Sequence, residues 1–271
     1  MGVPASAQPP SVERPLYPTS QPPPAYDQPG PSTYQTIPDL SDDDLPDDFK
    51  YGTTVSQCDR EVRFAFLRKV YSILTAQLLT TVAVTMLFFF QPSLNAWAFR
   101  NVWSLYVAAI GAMGALVGLY CQRRSVPANF AWLALFTSLE AYTVGFVVCL
   151  YDVRLVIQAL LLTLGLFTVL TLFTFQSRFD FSRLGPILFF GLVAVLLVGL
   201  VQIFLPFNRT FDLIMAILTA VIFSGYIMYD THLIIHRLSP EEYMVAAVDL
   251  YLDIINLFLA ILRILANSNS D

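Results

Sequence analysis

Seven uninterrupted apolar runs, each about the twenty residues that an α-helix needs to cross the hydrocarbon core of a bilayer, constrain this chain more than any other feature. They cover approximately Val70 to Phe90, Val102 to Cys121, Phe130 to Leu150, Leu155 to Phe175, Leu184 to Leu205, Leu213 to Ile235 and Met244 to Leu265. The runs are continuous rather than alternating, which disfavours a closed β-barrel. Backbone in hydrocarbon must satisfy its own hydrogen bonds, so each run is expected to be a helix. The fold class is therefore an all-α membrane protein with seven transmembrane helices. With 56% hydrophobic and 13% charged residues and a mean hydropathy of +0.62, the chain of 271 residues is too apolar for a soluble domain, and membrane lipids are its expected surroundings. No nucleic-acid partner is expected.

The formal net charge of -5 is concentrated at the amino terminus. Residues 1–50 hold eight acids, from Glu13 to Asp48, against Arg14 and Lys50, a balance of -6 that leaves the remainder close to neutral. Most of the seventeen prolines lie here too, among Ser, Gln and Tyr. Such a segment buries too little apolar surface to offset its ordering entropy, so residues 1–58 are expected to form a disordered, proline-rich acidic tail. Residues 59–267 form the seven-helix domain and residues 268–271 a short carboxyl tail. Within the first segment Pro23-Pro24-Ala25-Tyr26 has the Pro-Pro-x-Tyr form read by the aromatic grooves of WW domains. A WW-domain ubiquitin ligase is a candidate partner, with Lys50 and Lys69, the only lysines, as acceptors. Plain linker composition explains the same motif. The start Met1-Gly2-Val3-Pro4-Ala5-Ser6 fits only the loose myristoylation pattern. The first fifty residues contain no apolar run and so no signal peptide, and the first span is expected to target the protein.

Basic residues set the direction of threading. Arg60, Arg63, Arg68 and Lys69 precede the first span, Arg123 and Arg124 follow the second, Arg178 and Arg183 separate the fourth from the fifth, and Arg237 separates the sixth from the seventh. The remaining connections carry Arg100, Arg154 and Arg209, one each. The amino terminus is therefore expected in the cytosol, and the carboxyl terminus on the other side unless the last helix is re-entrant. Cys58, Cys121 and Cys149 show neither zinc spacing nor a disulfide framework. Asn208-Arg209-Thr210 is a glycosylation sequon close to the membrane.

Ionisable groups inside spans are costly and are functional candidates by default. Glu140 lies near the middle of the third span, Asp212 begins the sixth, Asp230 lies towards its cytosolic end, and Asp249 and Asp253 lie in the cytosolic half of the seventh. Acids near span ends also simply reach interfacial water, a reading that fits Asp212 best and Glu140 and Asp253 least. Asp249, Asp253 and Asn256 stand at i, i+4 and i+7, one stripe of one helix that cannot face lipid. If Asp230 approaches Asp253 from the neighbouring helix, two carboxyl groups in a small low-dielectric space are expected to share one proton, a proton-sensitive gate. Arg123 or Arg124, at the same depth, is a candidate latch that pairs with the ionised acids, or else a headgroup anchor. His232 and His236, at i and i+4 with Glu241 and Glu242 following, lack a further nitrogen or sulfur ligand for a metal site.

Tyr151-Asp152-Val153, Phe173-Thr174-Phe175-Gln176-Ser177, Asp180-Phe181-Ser182, Tyr229-Asp230-Thr231-His232, Leu238-Ser239-Pro240-Glu241-Glu242-Tyr243 and Leu250-Tyr251-Leu252-Asp253-Ile254-Ile255-Asn256-Leu257-Phe258 together resemble the Bax inhibitor motif, or Lifeguard, family, and most of all its Golgi anti-apoptotic branch. The likeness covers roughly residues 60–265, with no shared pattern evident before Arg60. The resemblance implies a last helix that is central and wrapped by the other six. It also implies suppression of cell death and a pH-sensitive calcium leak from internal stores. On its motifs Asp230 and Asp253 match the paired aspartates, Arg123 or Arg124 the arginine that joins them, and Asp212 and Glu140 acidic positions of the Golgi branch. Asp249 replaces a small polar residue usual there and adds a third acid. Calcium is then the permeant ion, bound at most at Asp230 and Asp253, with no other metal or cofactor. Bcl-2-type death regulators are candidate partners, and endoplasmic reticulum, Golgi, vacuole or mitochondria the candidate membranes.

Two other functions fit parts of the pattern. A membrane scaffold that regulates cell death and recruits WW-domain partners needs no transport. An intramembrane aspartyl protease would use Tyr229-Asp230 with Asp253, yet Tyr251-Leu252-Asp253 lacks the two glycines that let a substrate strand approach such a site. The chain is not expected to be an enzyme.

Overall fold

The structure, a computed structural model, describes residues 60–123, 125–205 and 208–269. The Pro23, Pro24 and Tyr26 motif and Arg124 lie outside the described residues. Helices α1 (Arg60–Phe90), α2 (Pro92–Arg100), α3 (Trp103–Cys121), α4 (Ala128–Val148), α5 (Val153–Gln176), α6 (Gly185–Phe204), α7 (Arg209–His236) and α8 (Tyr243–Ser268) follow in order, with a 3-10 turn, Phe181–Leu184, leading into α6. Among the described residues there is no strand. Seven of these helices are long and apolar enough to cross a membrane, and α2 is a nine-residue cap between α1 and α3. At 26 residues α8 is about 39 Å long, ample for a hydrocarbon core of roughly 30 Å.

Helix ends follow local chemistry. Pro92 occupies the first turn of α2, where its missing N–H costs nothing. The Asn208 side chain accepts a hydrogen bond from the Phe211 N–H at 2.9 Å and caps α7, and Asp212 lies in the same first turn, where the helix dipole favours an acid. α1 starts ten residues before the apolar run that announced it, because Arg60 to Lys69 continue the helix beyond the hydrocarbon.

The last helix is the core of the bundle. In α8, 72% of the apolar window is buried, against 6% in the span that contains α6. α8 packs chiefly on α7, α5 and α1, and lightly on α4, while α3 packs on α4 and α6 on α7. Few side chains of α8 can therefore point to lipid, and its polar residues must find partners inside. The Tyr251 hydroxyl, fully buried, shares a 2.8 Å hydrogen bond with Thr81 of α1 and stands edge-on to Phe136 of α4. Gln77 of α1 donates to Thr137 of α4 at 3.1 Å. The outer faces are apolar and exposed, as at Ile187, Phe189 and Phe190 of α6, which is what a lipid solvent requires.

Between α3 and α4 the packing depends on small residues. Ala108, Ala112 and Ala115 are buried along one face of α3, and a Cβ at Gly118 would lie 2.8 Å from the Trp132 ring of α4. Gly118→Val is expected to push the indole away and separate the two helices, at a cost of about 1–3 kcal/mol. Thermal unfolding in detergent checks this: a clear fall in Tm is expected, whereas an unchanged Tm would show that α3 shifts freely.

Candidate functional site

The polar stripe of α8 lines a cavity of about 1030 Å³. Asp249, Asp253, Asn256, Ala260 and Arg263 follow one another along its wall at helical spacing. From Asp249 to Arg263 the stripe is about 21 Å long. Thr219, Phe223, Tyr226 and Asp230 form a parallel stripe on α7, and Leu192, Val195, Leu196, Gly199 and Leu200 supply an apolar wall on α6. Leu116 of α3, Val147 of α4, Tyr151, and Leu252 and Leu259 of α8 complete it. The cavity occupies the space between α3 and α6, which each lean on a different neighbour.

Asp230 of α7 and Asp253 of α8 line the same cavity, with Asp249 beside them. Asp253 is only 5% exposed and its Oδ2 is buried without a hydrogen-bond partner. Two ionised carboxylates lining one largely apolar cavity repel in a medium that screens them poorly. Asp249, one turn earlier, accepts a 2.5 Å hydrogen bond from the Tyr120 hydroxyl of α3. That charge-assisted contact ties α3 to α8 beside the pair. Tyr120 is invisible as a partner in the sequence, because a tyrosine at a span end is more often an interfacial anchor.

Arg123, one of the two latch candidates, pairs with a loop acid. Arg123 Nη1 lies 3.3 Å from Glu242 Oε1, in the loop before α8, and not against the aspartates. Both groups stay within reach of interfacial water there, whereas turning inward would drag a guanidinium into an apolar interior and strand Glu242. Glu140 of α4 is half-buried and is not among the residues that line this cavity. His232 reaches Asp180, Nε2 to Oδ1 at 3.0 Å, and stacks on His236. Asp180 lies in the connection between α5 and α6, and its carboxyl is held below the ordinary value of 3.8 mainly by the Ser182 hydroxyl and N–H. A depressed carboxylate favours the folded tie above its ordinary pKa and loses it as the pH falls through the lower value, so this contact survives mild acid. Among the described residues no three His, Cys, Asp or Glu side chains converge on a metal position. The three acids line one cavity without forming a calcium cage.

At the opposite end stands a group that the span-by-span reading overlooks. Arg263 of α8 pairs with Asp212 of α7, and Asn267 donates to the second Asp212 oxygen at 2.8 Å. Arg209 donates to the Asn267 carbonyl. Asp212 is therefore half of an interhelix clasp and does not merely reach water. The signal was present in the sequence, since an arginine near the end of an apolar run is itself costly. Its partner, 51 residues away, was not. Cys121 and Cys149 are both free thiols.

Comparison with known proteins agrees with this architecture. The family model described as inhibitor of apoptosis-promoting Bax1 matches residues 63–270. Bax inhibitor 1 of Schizosaccharomyces pombe is 40% identical over 246 residues, 91% of this chain and 90% of that protein. Protein lifeguard 4 of Mus musculus and the Golgi anti-apoptotic protein of vaccinia virus (strain Lister) are each 43% identical over 225 residues, 83% of this chain and 94% of theirs. The yeast match is longer than the 212 residues from Arg60 to the carboxyl end, so the likeness extends into the tail, contrary to the expectation that it stops at Arg60. On the extent of these matches and the shared motifs, this multi-pass membrane protein belongs to the Bax inhibitor family.

Proposed function

We propose that this protein restrains cell death from an internal membrane, with its amino terminus in the cytosol, by acting as a calcium leak that acid closes. The names of its relatives, Bax inhibitor 1 and Golgi anti-apoptotic protein, support the first part, and the Golgi is the favoured compartment. The transport reading rests on one observation, that Asp230, Asp249 and Asp253 line one cavity that runs about 21 Å along α8. Carboxylate oxygens are hard ligands that suit calcium as a passing ion, and a proton competes for the same atoms. Weak, incomplete coordination favours passage, since an ion held in a full cage does not leave. An ion that passes the acids requires α7 and α8 to part there. Deprotonation supplies the force, because it places unscreened like charges against one another.

Calcium efflux from liposomes carrying the full chain tests the proposal. The rate is expected to fall severalfold as the pH drops from about 8 to about 5, a range set by the competition of protons with carboxylates. The Asp230→Asn/Asp253→Asn protein is expected to lose both most of the flux and its pH dependence. Unaltered flux in that protein would remove the transport reading and leave an interaction protein that recruits its partners without conducting.

A further inference from the structure

The same cavity has a second property, which does not depend on ion passage. It opens sideways. Leu196 and Leu200 of α6 line it while remaining 62% and 55% exposed, so the wall they form is also in contact with the bilayer. Among the described helices α3 and α6 make no more than slight contact with α8, and the α6 wall of the cavity is leucine, valine and glycine. Acyl chains of the surrounding lipid therefore have a route from the hydrocarbon to the carboxyl groups.

The polar end is strongly one-signed. Asp230, Asp249 and Asp253 all face the cavity, and the buried Oδ2 of Asp253 has no partner. Among the described residues, Arg123 is engaged with Glu242 and Arg263 with Asp212. An anionic headgroup would be repelled here, and a neutral one would leave the acids uncompensated. An ammonium group supplies several N–H donors to such a cluster. The depth fits as well. Asp249 lies six residues into α8, about 9 Å from its start, with the apolar wall continuing towards the membrane centre. A single-chain lipid in that leaflet carries its head and tail in the same order.

We propose that this lateral cavity binds a long-chain amine, its ammonium group seated among Asp230, Asp249 and Asp253 and its hydrocarbon chain against Leu192, Leu196, Gly199 and Leu200. The occupant competes with calcium and protons for the same carboxyl oxygens and plugs the path from the side.

Photolabelling of the full chain in phosphatidylcholine nanodiscs without calcium tests the site separately from any flux. The probe is octadecylamine with a diazirine in mid-chain, and the control is octadecanol with the same diazirine. Saturable labelling of the segment 192–200 is expected, displaced by plain octadecylamine and not by octadecanol. Asp253→Asn is expected to weaken binding about tenfold, the loss of one charge-assisted contact. Gly199→Phe leaves every acid in place. A Cβ at Gly199 meets nothing within 4 Å, so the added ring is expected to enter the cavity and abolish the saturable label. Equal labelling by amine and alcohol, labelling that never saturates, or labelling unchanged in a folded Gly199→Phe protein would each overturn the proposal. Failure here leaves the flux experiment untouched, because no calcium enters the measurement.

Discussion

Arg263→Met is expected to lower the Tm of the detergent-solubilised protein by about 4–8 °C, which corresponds to a stability loss of roughly 2 kcal/mol for a chain of this size. The substitution strands the Asp212 carboxylate at the start of α7 with only Asn267 as a donor. Removing one partner of a fully buried pair costs about 3–5 kcal/mol, and the smaller figure reflects side chains that are each a third exposed. The pair holds the ends of α7 and α8 together, so the loss falls on the two helices that carry the acids. A double substitution separates the pair from its surroundings. Asp212→Asn/Arg263→Met removes both charges and keeps an acceptor for Asn267, and it is expected to regain more than half of the lost stability. If the double variant instead loses the sum of the two single losses, Arg263 and Asp212 act independently and there is no clasp.

Asp253→Asn is expected to act in the opposite direction and raise Tm by several degrees, for a gain of about 1–2 kcal/mol. The carboxyl group it replaces is 5% exposed, lines the same cavity as Asp230 and has an oxygen without a partner. Asparagine keeps the size, removes the charge and offers N–H donors to the neighbouring carboxyl oxygens. A residue whose removal stabilises the fold while abolishing acid-sensitive flux is retained for function, and that combination is the signature of a strained site. The gain should shrink as the medium is acidified, because a second proton then neutralises the native pair as well. A fall in Tm at neutral pH would show that Asp253 is a structural partner whose loss the helix cannot tolerate.

The spans were legible because bilayer thickness imposes a length on every apolar run, and each run of the sequence corresponds to a helix. The boundaries were less so. Hydropathy is blind to the part of α1 between Arg60 and Lys69, which stays helical after leaving the hydrocarbon, and to α2, whose nine residues are too short to register. The stripe of Asp249, Asp253 and Asn256 followed from helical spacing alone, and the facing of Asp230 from the antiparallel order of two helices joined by a short loop. Pairings across distant segments did not follow. Arg123 had acids available both in the interior and in the loop, and only the backbone path from Ser239 to Tyr243 brings Glu242 to it. Tyr120 with Asp249 and Arg263 with Asp212 are likewise matched by packing, and spacing along one helix says nothing about which neighbour it will meet.

Infrared spectroscopy of carboxyl groups reaches the core of the account without relying on transport. A carboxylic acid absorbs well apart from a carboxylate, so a single proton held between Asp230 and Asp253 has its own band. The native protein in nanodiscs at neutral pH should show a protonated carboxyl signal that is resistant to exchange with bulk deuterium oxide and absent from Asp253→Asn. A spectrum with every aspartate ionised at neutral pH, identical in the native and Asp253→Asn proteins, would mean that the two groups hold no common proton and that acid has nothing to close.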